Sequence, residues 1–86
     1  MDSVDIGKII TIKNSDFVVL DTLIKENKKY LFLKGVDKNE ELLDSQIIAR
    51  VVIDEDGDFA LEDIDDRFLM EMLRNEFANR LREEYM

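Results

Sequence analysis

Cysteine, histidine, proline and tryptophan are all missing from the 86-residue chain, and glycine occurs only three times. Without cysteine there is no disulfide, no thiolate nucleophile and no iron–sulfur cluster, which suits a reducing cytosol. Without histidine there is no imidazole base, and zinc, copper and iron lose their usual ligands. Ser3, Ser15 and Ser45 fall in predicted loops or the N-terminal tail, with no activating partner in view. The expectation is a protein that is not an enzyme and carries no cofactor or metal. Gly7, Gly35 and Gly57 are isolated at strand boundaries, so no phosphate-cradling loop exists. Long apolar runs are lacking too: none approaches the roughly 18 residues of a membrane span. Met1-Asp2-Ser3-Val4-Asp5 carries acid where a secretory signal carries base. A cytoplasmic protein with no membrane partner is expected.

What the chain does have is charge. Its net charge is −9, with 45% hydrophobic residues against 38% charged ones, enough apolar content for a compact core. The length allows one domain, residues 1–86, which buries roughly 60 to 65% of its unfolded surface. Residues 1–53 hold nine acids against eight bases, whereas residues 54–86 hold twelve acids against four arginines. All seven lysines precede residue 39, so −8 of the charge belongs to the last 33 residues.

The first half reads as strands. Ile9-Ile10-Thr11-Ile12 is β-branched throughout, and Asn14-Ser15-Asp16 is a turn cluster before the extended Phe17–Ile24 run. Lys25-Glu26-Asn27-Lys28 suits a tight turn into Lys29–Lys34. Val36–Gln46 is ambiguous, with Glu40-Glu41-Leu42-Leu43 fitting a helical turn and its polar flanks a loop. Ile47–Ile53 is again strand-like, and Asp56-Gly57 before Phe59-Ala60-Leu61 signals a type I′ hairpin turn. At about 100° per residue, Leu69, Met70, Leu73, Phe77, Leu81 and Tyr85 then share one arc, opposite Glu71, Asn75, Asn79, Arg82 and Glu83. An amphipathic helix over about residues 64–85 follows, capped by Asp63 or Asp65, with acids in its first turn and Arg80 and Arg82 in its last. The fold class is α+β: a curled antiparallel sheet of about five strands, a partly open SH3-like barrel in outline, its open face or mouth covered by the helix.

Some chemistry is set aside on spacing. Asp54–Asp65 places acids at calcium-loop positions 1, 3, 5, 9 and 12, but Phe59 stands where that loop needs glycine, and no helix precedes it. A carboxylate pair for glycoside hydrolysis has little room for a substrate cleft in so short a chain. Direct nucleic-acid binding is disfavoured by the acidic field, and Lys25, Lys28 and Lys29 read as a solubilising edge patch. Two features are left. Asp54, Glu55, Asp56, Asp58, Glu62, Asp63, Asp65 and Asp66 crowd thirteen residues without a base, a self-repelling density that a basic partner would relieve. Phe68 and Met72, spaced i, i+4, project from the polar helix face, with Met86 on the same azimuth. They need burial by another segment, such as the Ile6 region, or by another chain.

The order of Ile6-Gly7-Lys8, Phe17-Val18-Val19-Leu20-Asp21, Lys28-Lys29-Tyr30-Leu31-Phe32-Leu33, Asp54-Glu55-Asp56-Gly57 and a final helix resembles small acidic uncharacterised proteins of Firmicutes genomes, phages and mobile elements. That resemblance implies an acidic sheet-plus-helix fold and no activity. In size and charge alone the chain is similar to small phage anti-defence proteins, including anti-CRISPR proteins. The leading expectation is an interaction module, most concretely a phage or mobile-element inhibitor. Its acids, with Phe68 and Met72 as an apolar anchor, would occupy the basic nucleic-acid-binding surface of a partner protein. The alternative is a housekeeping bacterial domain that forms a homodimer through its C-terminal helix.

Overall fold

Two hairpin turns made without glycine start the sheet. A computed structural model describes residues 6–84, with side chains described through Leu81. Strand β1 (Ile9–Ile12) turns into β2 (Ser15–Lys25) through Lys13 and Asn14, at φ 49° and 68°. Strand β2 turns into β3 (Lys28–Val36) through Glu26 and Asn27, at φ 52° and 67°. Two successive positive φ values are the type I′ geometry, whose twist matches the strands on either side, and asparagine accepts that backbone more readily than most residues. Strands β4 (Leu42–Ile53) and β5 (Phe59–Asp63) complete an antiparallel meander in the order β1-β2-β3-β4-β5, and helix α1 (Arg67–Glu84) follows.

The ambiguous segment resolves into a turn and the first half of β4. Asp37 Oδ1 accepts the backbone N–H groups of Asn39 and Glu41 at 2.8 and 3.0 Å, Glu40 N–H donates to Asp37 O, and Asp37 N–H donates to Glu41 O. The same set recurs at Asp54, whose Oδ1 accepts from Asp56 and Asp58 at 2.9 and 3.0 Å. There Gly57 N–H donates to Asp54 O and Asp54 N–H to Asp58 O. The fourth residue of each turn has positive φ, 63° at Glu40 and 85° at Gly57. Position 57 is thus not the second half of a type I′ pair. It is the left-handed residue that follows a tighter turn in a three-residue hairpin loop, a longer loop than the Asp-Gly signal suggests.

The strands present apolar residues on both faces, and a bulge in β2 divides them. Val19 pairs with Leu33 and Asp21 with Phe32, which leaves Leu20 as the extra residue. One surplus residue shifts the period-2 alternation. Before it, Phe17 and Val19 face the same side as Leu31 and Leu33, together with Ile10, Ile12, Ile47, Val51, Phe59 and Leu61. From the bulge onward, Leu20 and Leu23 join Tyr30, Phe32 and Ile48 on the opposite side. Both edge strands contribute to the first group, and Lys8 Nζ sits 5.4 Å above the Phe59 ring, so the sheet is curled into a half-barrel around it.

The helix packs on the outer face of this half-barrel, not on its mouth, because the apolar residues of β2 and β3 left outside need a cover. Leu73 and Phe77 are fully buried against Tyr30, Phe32, Ile48 and Ile64, flanked by Leu69, Met70 and Leu81. Phe77 stacks on Phe32 with centroids 5.6 Å apart. Each such burial contributes about 1.5–3 kcal/mol. Asp66 caps the helix, accepting from Phe68 and Leu69 N–H at 2.9 and 3.1 Å, in the role expected of Asp63 or Asp65. The helix therefore starts at Arg67, and its first turn holds no acid. Tyr85 and Met86 lie outside the described residues, as do the side chains of Arg82 and Glu83. Two ion pairs fix the helix to β2: Arg80 grips both oxygens of buried Asp21 at 2.8 and 3.1 Å, and Lys25 meets Glu76 at 3.0 Å.

Candidate protein-binding surface

Strand β5 splits the acidic run into two groups. Asp54, Glu55, Asp56 and Asp58 lie on the exposed loop before it, whereas Glu62, Asp63, Asp65 and Asp66 lie at its far end and in the connector to α1. Four strand steps of about 3.3 Å separate them by roughly 13 Å. The carboxylates are not equally available. Asp54 and Asp66 spend an oxygen on their own turn and cap, and Glu62 Oε1 accepts from Arg50 at 3.1 Å. The side-chain carboxylates of Glu55, Asp56, Asp58, Asp63 and Asp65 form no hydrogen bond or ion pair among the described residues, and all five residues are exposed.

Phe68 and Met72 are placed beside the second group. Phe68 is 88% exposed and Met72 43% exposed, so no described segment of the chain covers this pair. Ile6, which the sequence offered as a cover, is itself exposed. Asp65, Asp66, Arg67 and Glu71 surround the pair in sequence, leaving its rim acidic on balance. On the groove side of the same helix start, a depression of about 720 Å³ opens between β4, the β5–α1 connector and α1. Phe32, Ile48, Ile64 and Met70 form its apolar floor, and Asp44, Gln46, Asp63 and Arg74 its polar walls.

Three features escaped sequence reasoning. Asp21 was legible as an acid inside an otherwise apolar strand, but its partner lies 59 residues away. Arg50, in the middle of β4, lies 5.8 Å over the Tyr30 ring while Glu62 holds its tip, and its Nε is buried without a hydrogen-bond partner among the described residues. Lys25, read as part of a surface patch, reaches the helix through Glu76. Among the described residues no group of three or more acids could hold a metal ion, and no helix is long and apolar enough to cross a membrane.

No solved structure matches the chain. A UPF0473 protein of Carboxydothermus hydrogenoformans is 32% identical over 89 residues, spanning 93% of this chain and 95% of the relative. Residues 13–82 match the family described as protein of unknown function, DUF1292. Neither match carries the phage setting or the anti-defence likeness suggested by size and charge. With a family match over most of its length and a relative aligned nearly end to end, the chain belongs to the DUF1292 family of small bacterial proteins.

Proposed function

We propose that the protein is a non-enzymatic interaction module of the bacterial cell that docks on a basic protein surface, with Phe68 and Met72 inserted at the centre of the contact. The observation that carries this reading is the 88% exposure of Phe68 on a helix whose other face is already packed against the sheet. An exposed aromatic ringed by charge is the usual layout of an interface anchor with a polar rim. The exposed carboxylates of Glu55, Asp56, Asp58, Asp63 and Asp65 add a field that attracts a basic partner and repels a second acidic copy. Two like-charged copies meeting at Phe68 would bring Asp65, Asp66 and Glu71 against their counterparts, which favours a different partner over a homodimer. A nucleic-acid-binding protein is the class that offers a suitable lysine- or arginine-lined surface. The phage-inhibitor form of the idea is set aside, since the chain's family is bacterial.

The test is capture of partners from a bacterial lysate under a salt gradient, followed by affinity measurement with the purified partner. Replacing Asp56, Asp58, Asp65 and Asp66 by Asn should weaken binding and flatten its salt dependence. Phe68→Ser should weaken it by about tenfold or more without changing the salt slope. If the fourfold variant binds as tightly as the parent with the same salt slope, the basic partner is ruled out. Light scattering that shows a dimer lost on Phe68→Ser would replace this reading with a homodimer seam.

A further inference from the structure

Strand β4 is twelve residues long and β5 five, and the mismatch leaves part of the sheet open. The β4–β5 pairing runs from Ile53↔Phe59 to Ala49↔Asp63 and stops, because the chain leaves for the helix at Ile64. On its other side β4 stays paired with β3 as far as Val36↔Leu42. Among the described residues no strand lies against the β5 side of Leu42–Ile48.

Alternation shows which backbone groups this exposes. Asp54 N–H donates to Asp58 O, so position 54 faces β5, and counting back by twos along an antiparallel ladder, Val52 and Arg50 do the same. The irregularity near Gly35 spans four steps on β4 against two on β3, an even surplus that preserves the alternation. Gln46 and Asp44 therefore direct N–H and C=O, and Ile48 its N–H, to the side that β5 has vacated. Their side chains line the groove over Ile64 and Met70. An open edge with a row of unpaired donors and acceptors is a template for another strand.

We propose that this edge is a β-augmentation site: an extended segment of a basic partner pairs with Asp44, Gln46 and Ile48, prolonging the line of β5. Alternate side chains of that segment enter the groove over Phe32, Ile48, Ile64 and Met70, and its lysines or arginines meet Asp44 and Asp63, with Asp65 and Asp66 beyond. Arg74 alone opposes these acids at the groove wall. The same charge argument disfavours a second copy, whose own Asp44 and Asp63 would enter the contact. The proposal rests on the reading above only in taking the partner to be basic.

The probe is a display library of random nine-residue peptides, selected against the full chain and against Asp44→Pro. Proline removes an N–H that points away from β3, so the ladder with β3 survives, and circular dichroism checks the fold. Selection should enrich peptides that alternate apolar residues with lysine or arginine. Such peptides should protect the amides of residues 44, 46 and 48 from hydrogen exchange, and bind about tenfold or more weakly to Asp44→Pro or when N-methylated at alternate amides. No enrichment, equal binding to Asp44→Pro, protection elsewhere, or self-association through this edge overturns the proposal. The two readings fail separately. A partner captured from lysate that binds Asp44→Pro normally sinks the edge and leaves the basic partner standing, whereas basic peptides that pair with the edge, beside a captured partner indifferent to the Asp→Asn changes, sink docking through the acidic run and leave the edge standing.

Discussion

Breaking the Arg80–Asp21 ion pair from its two ends should cost different amounts, because only one partner is buried. The Asp21 side chain is 8% accessible and that of Arg80 49%. In Arg80→Ala the carboxylate stays in place with Thr22 N–H, at 2.8 Å, as its remaining donor. A buried charge stripped of its partner costs about 3–5 kcal/mol in a closed interior. Here the Arg80 side of the pair is open to solvent, which lowers the expected loss to about 1.5–3 kcal/mol. In Asp21→Asn the buried charge itself is gone and the guanidinium stays half in water, so the loss should be about 0.5–1 kcal/mol. Urea titration followed by circular dichroism measures both, and thermal melting should separate them by several degrees, at about 4–8 °C per kcal/mol for a domain of this size. The double variant provides the sharper test. Adding Asp21→Asn to Arg80→Ala should restore stability, since it removes the stranded charge, although not fully, because Arg80 makes a further interaction. Equal single losses, or a double variant less stable than Arg80→Ala, would refute the reasoning.

Other substitutions test the sheet and the helix. A Cβ at Gly35 would run into Ser45 Oγ, which must turn aside, so Gly35→Ala should destabilise by about 1 kcal/mol in denaturant titration. Glu40 holds the left-handed position that Gly57 holds in the matching turn, so Glu40→Gly should raise stability by about 0.5–1 kcal/mol in the same assay. Phe77→Ala removes a fully buried ring stacked on Phe32 and should cost about 3–5 kcal/mol, seen as a large fall in melting temperature.

Strands β1 to β3 were legible as β-branched and apolar runs between turn residues, and the helix stripe because its apolar residues repeat with the helical period. Leu69, Met70, Leu73, Phe77 and Leu81 all turn out to be packed against the sheet. The first half of β4 was not legible. Asp44, Ser45 and Gln46 carry no strand composition, and what makes this stretch a strand is the pairing of Gln46 with Lys34 and of Leu42 with Val36 on either side of the irregularity. The helix cap was misplaced by one or three residues because Asp63, Asp65 and Asp66 offer the same oxygen, and only the path of the chain out of β5 decides among them. Of the candidate surface, the acids and the Phe68–Met72 pair could be named from spacing alone. That the acids fall into two groups and that β4 has an open edge depend on register, which one strand's sequence does not contain.

A single sheet that is apolar on both sides shares its strands between two cores while keeping their side chains apart. Lifting the helix would bare Tyr30, Phe32 and Ile48 yet leave Val19, Leu31 and Leu33 enclosed by the curl. The chain is thus divided into a unit that can open and a unit that need not follow, the arrangement from which low-energy partial unfolding arises. Changes in volume on the helix side, where Phe68 and the groove lie, can then accumulate without repacking the half-barrel. The face that carries Phe68 and the groove is free to vary on a scaffold that stays the same.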